Sequence, residues 1–475
     1  MKVLLLPPLV AREKIWGKYS KEGGFIPPIG LLSIAAYLES KGHLVRIVDP
    51  LPQKISEDKL SEFLKKESFE LIGISSFTNT IKDTYTTAKF CKKILPKVKI
   101  VIGGIHATVL PRQTMEECRD IDFLVMGEGE VTTGELVDQL QQAKPVFEKV
   151  EGLCFRSSEG KIKINKRREV IDDLGSLPFP AYHLLDMAKY VPHPTQYKTL
   201  PSFPTVAQRG CPYNCAFCGA HIIHGRKIRF KPVNYLISEI KMLIDLYQAK
   251  GIHFQDSTFT VNRDYVLTFC RAIIRQGLKF KWDINTRVDC VDSEMLILMK
   301  KAGLWMINFG LESGNQASLD LLNKGITIDQ MKKTIALVRK QKIVTFSTWI
   351  LGLPNEDESK VRRRIGLAKE IGTELALFFL PVPYPGTRLM DICQKDKGLR
   401  KNAKWEDYSA VDFSNPIYVN PLLGEKKMKN LLKYAFLSYY FSPKILWRNL
   451  RTIENLEDIK RYFRGLKALF YGWLV

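Results

Sequence analysis

Three closely spaced cysteines form the most reactive group in this sequence. They lie in the segment Arg209-Gly-Cys-Pro-Tyr-Asn-Cys-Ala-Phe-Cys-Gly219, just after a predicted strand, whereas the other six cysteines are scattered singly. An odd cysteine count in a long chain argues against a disulfide framework, and soft thiolates at this spacing select iron–sulfur clusters or zinc. A zinc site needs a fourth ligand, for which His221 or His224 is available. Three thiolates alone fit a four-iron cluster with one open, reactive iron.

The cysteine segment resembles the signature of the radical S-adenosylmethionine (SAM) superfamily, Cys-x3-Cys-x2-Cys with an aromatic residue, here Phe217, before the third cysteine. The resemblance implies that Cys211, Cys215 and Cys218 hold a 4Fe-4S cluster whose open iron chelates SAM. It also implies that one electron from the cluster breaks the sulfonium C–S bond. The products would be methionine and a 5′-deoxyadenosyl radical that abstracts hydrogen from an unactivated carbon. The protein then orients the cofactors and excludes oxygen and water.

Further motifs of the same superfamily follow later predicted strands. Phe309-Gly-Leu-Glu-Ser-Gly314 looks like its SAM-contacting turn, and the segment 254–259 resembles its Asp-Asp-x-Phe motif with glutamine in place of the first aspartate. Segment 352–356 resembles a Gly-x-Pro-Gly-Glu loop with Asn355 in place of glycine, and segment 383–387 is typical of one subgroup. The guanidinium fork of Arg287 suits a carboxylate. The resemblance assigns SAM contacts to Phe217, Gln255, Asp256, Arg287, Gly310, Glu312 and Ser313.

The motifs need a scaffold that brings successive strand ends together. Between about residues 205 and 383, apolar strands alternate with long helical patterns such as 233–247 and 293–302. Six strand–helix units in a row predict a partial (β/α)6 TIM-type barrel with its active face at the carboxyl ends of the strands. The predicted strands are 205–208, 252–255, 282–285, 305–309, 344–350 and 375–380.

The first 140 residues show a second strand–helix rhythm. Short apolar runs, as expected for parallel strands buried on both faces, alternate with amphipathic segments such as 29–38 and 81–94. This pattern predicts a doubly wound, Rossmann-like α/β domain that binds a ligand at the carboxyl ends of its strands. Those ends are rich in Gly, Ser and Thr, which allow a ligand to approach the backbone closely. The predicted strands are 3–6, 45–48, 71–75, 100–102 and 123–126.

This N-terminal region is similar to the cobalamin-binding domain that precedes the barrel in one radical SAM subgroup. The Asp-x-His-x-x-Gly loop of cobalamin mutases is absent, and none of the seven histidines fits it. The resemblance therefore implies cobalamin without an axial histidine from that motif, with His106 as a polar contact or a packed loop residue. An empty domain, or one that binds another ligand, is the alternative. The residues assigned to cobalamin are Ser75, Ser76, Thr78, Gly103, Gly104, His106, Thr108, Gly127, Glu128 and Gly129.

Composition and charge narrow the classes of protein and partner. The 475 residues are 45% hydrophobic and 26% charged, which is typical of a globular protein rather than a disordered one. The net charge of +22 attracts anionic surfaces, but no RNA-binding motif appears, so we expect no nucleic-acid partner. Residues 424–475 carry eleven basic and four acidic side chains among many aromatics. They fit either helices that cap the barrel or an interfacial helix on an anionic membrane.

Four regions are predicted: a cobalamin-binding domain over 1–145, a β-hairpin and linker over 146–195, the radical SAM barrel over 196–390 and a helical segment over 391–475. The leading hypothesis for function is methyl transfer to an unactivated carbon of a lipid, isoprenoid or tetrapyrrole. The alternatives are an oxidative cyclase of the anaerobic magnesium-protoporphyrin monomethyl ester type and a non-catalytic Fe–S or zinc protein. We expect a flavodoxin or ferredoxin as electron donor. No signal peptide is recognisable, so we expect a cytoplasmic location, with peripheral contact to the inner membrane face left open.

Overall fold

A computed structural model describes residues 1–17, 20 and 23–473, including all their side chains except those of 466 and 468–473. Its N-terminal sheet has seven strands in the order β2-β1-β3-β4-β5-β6-β7. The first five strands run parallel and lie within one residue of the predicted bounds, because each is a short, mainly apolar run. Four of them are largely buried on both faces, and the edge strand 44–47 exposes alternate residues. The strands are β1 (Lys2–Leu6), β2 (Leu44–Ile47), β3 (Leu71–Ser75), β4 (Lys99–Gly103), β5 (Phe123–Val125), β6 (Leu153–Arg156) and β7 (Ile162–Ile164).

Helices cover both faces of this sheet, which confirms the doubly wound class. The predicted helix 81–94 has these bounds in the structure, and the proline at position 96 lies just beyond its last turn. The helices are α1 (Arg12–Trp16), α2 (Ile29–Ser40), α3 (Pro50–Gln53), α4 (Glu57–Glu67), α5 (Ile81–Ile94), α6 (Ile105–Val109), α7 (Pro111–Glu117) and α8 (Gly129–Leu140).

The predicted hairpin exists, but it is not a separate unit. Strands β6 and β7 pair with each other, and β6 also pairs antiparallel with β5, so that both strands extend the N-terminal sheet. The sheet therefore continues past residue 145, where the first domain was predicted to end. The physical reason is that β5 would otherwise leave unpaired backbone groups at its edge, and β6 satisfies them.

The second sheet has six parallel strands in the order β15-β14-β13-β12-β11-β8, which confirms the partial barrel. A separate pair, β9 and β10, is antiparallel. The strands are β8 (Ser202–Thr205), β9 (Gln208–Arg209), β10 (Arg229–Phe230), β11 (Gly251–Phe254), β12 (Lys281–Thr286), β13 (Leu304–Glu312), β14 (Val344–Ile350) and β15 (Leu375–Phe379).

The predicted first barrel strand, 205–208, is wrong in position. The barrel strand is β8, which ends at Thr205, and Gln208 belongs to the short strand β9. The misleading residue is Pro204, because proline weakens the strand pattern in a sequence. It is tolerated here because β8 lies at the edge of the sheet and pairs only with β11.

Helices alternate with the barrel strands, and three more follow them. Helix α17 buries Leu431, Phe436 and Tyr439 against the barrel, as a cap should. Within the described ranges, no helix combines the length and apolar character needed to cross a bilayer. The helices are α9 (Ala220–His224), α10 (Val233–Tyr247), α11 (Arg263–Arg275), α12 (Ser293–Lys301), α13 (Gln316–Leu321), α14 (Ile328–Lys340), α15 (Glu358–Ile371), α16 (Arg388–Lys395), α17 (Gly424–Tyr440), α18 (Pro443–Leu450) and α19 (Leu456–Trp473).

Candidate functional site

The cysteine loop runs from β9 to α9 and is tied to the barrel through its backbone. The Ala216 amide donates to the Leu322 carbonyl at 2.7 Å, and the Ala216 carbonyl accepts from the Leu389 amide at 2.8 Å. Gly210 has a φ of +93°, and a Cβ there would collide with the Lys227 carbonyl oxygen. Glycine is therefore required where the chain enters the loop. These contacts give three half-buried cysteines a defined position above the strand ends.

The thiols lie in a partly desolvated, electropositive environment. Burial raises the pKa of Cys215, and the nearby cations Lys324 and Arg287 act in the opposite direction. The Arg287 guanidinium lies 3.8 Å from the Cys215 sulfur, and the Ala220 amide lies 3.5 Å from the Cys218 sulfur. Fixed donors and positive charge stabilise thiolates, which are the form that binds iron.

The donor set fits an iron–sulfur cluster better than a single zinc ion. Among the described residues, no three His, Cys, Asp or Glu side chains meet closely enough to hold one metal ion. A four-iron cluster does not require such convergence, because each thiolate binds a different iron. His224, one of the two histidines available as a fourth zinc ligand, instead places its Nδ1 at 2.9 Å from a Glu128 carboxylate oxygen.

The predicted SAM turn lies beside the cysteines. Glu312 ends β13 with a φ of +60° and is buried, with one oxygen 3.1 Å from the Lys324 ammonium and the other 3.4 Å from the Thr348 hydroxyl. A Cβ on Gly310 would collide with the Glu312 carboxylate, so this glycine makes room for it. Ser313 is fully buried and accepts a hydrogen bond from the Asn315 amide. The Lys324 ammonium also lies 5.6 Å from the Phe217 ring centre, which joins this turn to the cysteine loop.

Two residues assigned to SAM also bind other parts of this chain. Asp256 is buried, accepts hydrogen bonds from the Ala207 and Gln208 amides, and its pKa is raised by burial to about 7. It therefore braces the chain that leads into the cysteine loop. Arg287 already has a carboxylate partner, because its fork binds both oxygens of Asp289 at 2.9 and 2.8 Å. Gln255 is only half-buried at the end of β11.

Hydrogen bonds and one close backbone approach connect the strand ends assigned to cobalamin. The Ser76 amide and hydroxyl both donate to the Gly103 carbonyl at 2.8 Å. Gly104 has a φ of +113°, and a Cβ there would collide with the Ser76 carbonyl oxygen. The Thr108 hydroxyl donates to the Gly104 carbonyl at 2.8 Å and accepts from the Gly127 amide at 3.0 Å. Thr78 is also buried at this edge, while Ser75 is half-buried.

His106 is the polar group that fits a missing ligand at this edge. Its ring is 1% exposed, and neither ring nitrogen has a hydrogen-bond partner. Burial lowers the pKa of His106 to about 4, so the imidazole is neutral at neutral pH and presents one donor and one acceptor. Trp405, from the segment after the barrel, packs edge-on against it with 4.8 Å between ring centres. A buried, unpartnered imidazole calls for a polar partner, as a bound cofactor would supply.

Two other residues of the cobalamin set hold different elements together. Both carboxylate oxygens of Glu128 bind the Arg229 guanidinium at 2.9 Å, and one also contacts His224. Burial alone would raise the pKa of Glu128, but hydrogen bonds from His224 and Arg229 outweigh it and lower the pKa to about 2. A Cβ on Gly129 would touch the Ile34 side chain, so Gly129 serves helix packing. Glu128 is therefore a positioning residue that joins the N-terminal sheet to the loop after the cysteines.

The two predicted sites face each other. Helix α6, which begins directly after Gly104, packs against α9, which begins directly after the cysteine loop. Beside this contact, the Arg209 guanidinium binds the Glu130 carboxylate at 2.5 Å. The structure thus places the cobalamin-assigned strand ends and the cysteine loop on opposite sides of one interface.

Sequence reasoning missed three residues of this region. Lys324 is 6% exposed between Glu312 and the cysteines, Arg229 holds Glu128, and Trp405 covers His106. None carries a motif, since a lone lysine, arginine or tryptophan is usually a surface or packing residue. The sequence signal at Lys324 is its position between an asparagine and a glycine, which is typical of a turn. In the structure, Asn323 and Gly325 do have positive φ.

Comparisons with known proteins agree with this architecture. A B12 binding domain model matches residues 20–137, and a radical SAM superfamily model matches residues 205–368. An uncharacterised methyltransferase of Pyrococcus horikoshii is 32% identical over 472 residues, which is 99% of each chain. An anaerobic magnesium-protoporphyrin IX monomethyl ester cyclase of Cereibacter sphaeroides is 30% identical over 461 residues, covering 94% of this chain and 73% of the cyclase.

A solved structure shares the whole fold. The radical SAM methyltransferase TsrM of Kitasatospora setae, determined with cobalamin and a 4Fe-4S cluster bound, matches with a TM-score of 0.73 and 16% identity over 98% of both chains. At 16% sequence identity, this match shows a shared fold and no more. The relative that is 32% identical over its whole length and the two domain models decide the family. The chain belongs to the cobalamin-binding radical SAM enzymes.

Proposed function

We propose that this protein is a cobalamin-dependent radical SAM methyltransferase that transfers a methyl group to an unactivated carbon. The observation that carries the proposal is the packing of α6 against α9, which brings the cobalamin-assigned strand ends beside the cysteine loop. A methyl carrier and a radical source are useful to one substrate only when both reach the same space. The family supplies these two groups, and the whole-length relative from Pyrococcus horikoshii is named a methyltransferase.

The chain's own residues would bind the cluster and orient SAM beside it. Cys211, Cys215 and Cys218 would hold the cluster, and the buried pair of Glu312 and Lys324 would orient SAM beside it. When bound, the cluster and SAM supply a radical that removes a hydrogen atom, and cobalamin carries the methyl group that replaces it. We assign the electron to an external donor of the flavodoxin or ferredoxin kind.

Cobalamin would lie at the strand ends of Ser76 and Gly104, with the neutral imidazole of His106 as a polar contact. Trp405 limits water access from the outer side of that imidazole. We assign the substrate to apolar small molecules of the tetrapyrrole or lipid type. The cyclase relative from Cereibacter sphaeroides, whose named substrate is a porphyrin ester, supports that class.

A labelled methyl group tests the reaction. The reconstituted, reduced holoenzyme is incubated with SAM that carries a deuterated methyl group and with the metabolite that accumulates when the gene is deleted. We expect the product to contain the intact labelled methyl group and 5′-deoxyadenosine to form alongside it. A product without label that has lost hydrogen would instead establish the second candidate, an oxidative cyclase, which the 30% identical cyclase relative favours.

Gly104→Ala tests the strand ends assigned to cobalamin. The new Cβ has to displace the Ser76 carbonyl and adopt a left-handed φ, so we expect a loss of about 1–3 kcal/mol in unfolding free energy. Cobalamin affinity of the cofactor-free protein, followed by its visible spectrum, should fall about tenfold or more. The matched control is Gly30→Ala, because a Cβ on Gly30 in α2 meets open space. Equal cobalamin affinity in both variants would remove Gly104 from the site.

A further inference from the structure

The last two helices, and Phe441 at the end of α17, expose large apolar side chains to solvent. Seven residues, which we call the C-terminal apolar face, are between 40% and 74% exposed although their side chains are aliphatic or aromatic. Exposed apolar residues are common singly, but several on neighbouring turns of one helix indicate a binding surface. The residues of this face are Phe441, Leu446, Trp447, Leu450, Leu456, Ile459 and Phe463.

Their spacing places them on single helix faces. Leu456, Ile459 and Phe463 follow the i, i+3, i+7 pattern and form one stripe along α19. Leu446, Trp447 and Leu450 form a similar stripe on α18, where Ile445 alone is buried. Two consecutive helices therefore expose apolar stripes to solvent, whereas a helix that only caps a core would turn its apolar stripe inward.

Over residues 456–465, the inward face of α19 carries charged side chains. Asp458 is fully buried and accepts from the Lys198 ammonium at 2.7 Å and from the Arg461 guanidinium at 3.2 Å. The Arg461 guanidinium also lies 4.8 Å from the Trp305 ring centre at the start of β13. Folding thus satisfies the polar side of this helix over residues 456–465 and leaves its apolar side in water, which is unfavourable.

Cations border the exposed stripes. Lys460 and Arg464 lie next to the α19 stripe, and Arg451 packs its guanidinium 4.9 Å from the Trp447 ring centre. An apolar stripe bordered by basic residues, with a tryptophan at its margin, suits the boundary between headgroups and acyl chains. The excess of basic side chains in residues 424–475 favours an anionic surface and would make two copies of this face repel each other.

We propose that the C-terminal apolar face docks on an anionic lipid bilayer, with α18 and α19 lying parallel to its surface. Apolar side chains enter the acyl region, and Lys460, Arg464 and Arg451 remain among the lipid phosphates. This interaction surface is separate from the cobalamin and cysteine sites, so its test does not depend on the proposed reaction.

Sedimentation with vesicles tests the surface on the full-length protein. We expect the wild type to bind vesicles of equal phosphatidylglycerol and phosphatidylcholine, and to bind phosphatidylcholine alone at least about tenfold more weakly. The triple variant Leu456→Glu, Ile459→Glu and Phe463→Glu should lose at least about tenfold in affinity for the anionic vesicles. The matched control changes three apolar residues of α10, α11 and α12 to glutamate, which adds the same charge, and it should keep its binding. These residues are Leu246, Ile274 and Ile297, which are 41% to 70% exposed.

Two further measurements complete the test: lipid quenching, which does not use the triple variant, and ultracentrifugation, which detects self-association. Brominated acyl chains should quench the fluorescence of the wild type, and the quenched fraction should shrink in Trp447→Phe. Analytical ultracentrifugation without lipid should show the same molecular mass for wild type and triple variant. Equal loss of binding in the control variant, absence of quenching, or a dimer that only the triple variant disrupts would each overturn the proposal, the last in favour of a second copy.

Discussion

Replacing Cys215 with alanine should abolish both the iron–sulfur cluster and SAM cleavage. After anaerobic reconstitution we expect iron to fall from about four per chain to below one, because two thiolates cannot hold the cubane. Formation of 5′-deoxyadenosine under reducing conditions should fall by at least about a thousandfold, since SAM loses the open iron that would chelate it. Iron and sulfide content and the visible charge-transfer absorbance measure the first effect, and chromatography of SAM products measures the second.

The matched control is Cys290→Ser. Cys290 is also a half-buried thiol near the loop, with its sulfur 2.9 Å from the Tyr213 hydroxyl, but it lies outside the three-cysteine motif. Serine keeps a hydrogen-bonding group there, so the control should retain its iron and its SAM cleavage. Retained cleavage in Cys215→Ala, or one zinc per chain in the wild type, would refute the cluster assignment.

Removing Arg229 should be the most damaging change at the interface between the two sheets. Arg229→Gln leaves the Glu128 carboxylate buried without its bidentate partner, and breaking a buried pair in this way costs roughly 3–5 kcal/mol. Urea unfolding measures the loss. The double variant Glu128→Gln with Arg229→Gln should be more stable than Arg229→Gln alone, because no uncompensated charge then remains.

A surface pair provides the control for this interface. Arg263 binds Asp292 and Glu294 but is 45% exposed, so Arg263→Gln should cost less than about 1 kcal/mol. Equal losses for Arg229→Gln and Arg263→Gln would show that Glu128 and Arg229 do not hold the sheets together.

The lowered pKa of the Glu128 carboxylate makes the stability of the folded protein depend on pH. Hydrogen bonds lower the pKa of Glu128 from its ordinary 4.5 to about 2, so the folded state binds fewer protons there than the unfolded state. Its stabilising contribution is therefore complete above about pH 4.5 and is lost as the pH falls through about 2. The stability difference between wild type and Glu128→Gln should shrink over that range. A difference that stays constant with pH would contradict the lowered pKa.

Local pattern was a good guide wherever a feature depends on neighbouring residues. The strands 71–75 and 344–350 have their predicted bounds because both are short runs rich in β-branched residues, which favour strands. Asn355 stands where the resembling loop has glycine and adopts a φ of +62°, which asparagine tolerates better than most residues. The first barrel strand was misplaced because a proline lies inside it at the sheet edge.

Side-chain roles were harder to predict than elements. Asp256 and Arg287 are predicted to contact SAM from their motif positions, and the structure adds contacts that the motifs do not reveal. Asp256 binds the backbone at residues 207–208, and Arg287 binds the Asp289 carboxylate. A motif locates a residue at a strand end, but which way its polar atoms turn depends on loops that are distant in the sequence. The inward charges of α19 follow the same rule, because their partners lie on the barrel.

The cysteine segment and its resemblance to the radical SAM signature could be recognised from the sequence, because three cysteines within eight residues are a local feature. The two strand–helix domains could also be predicted from the sequence, because apolar periodicity is a property of short segments. Folding was needed to pair Glu128 with Arg229, 101 residues away along the chain, and to bring Lys324 to the thiols and Trp405 to His106. No sequence motif predicts such contacts, since their energy comes from burial and charge pairing that exist only in the folded chain.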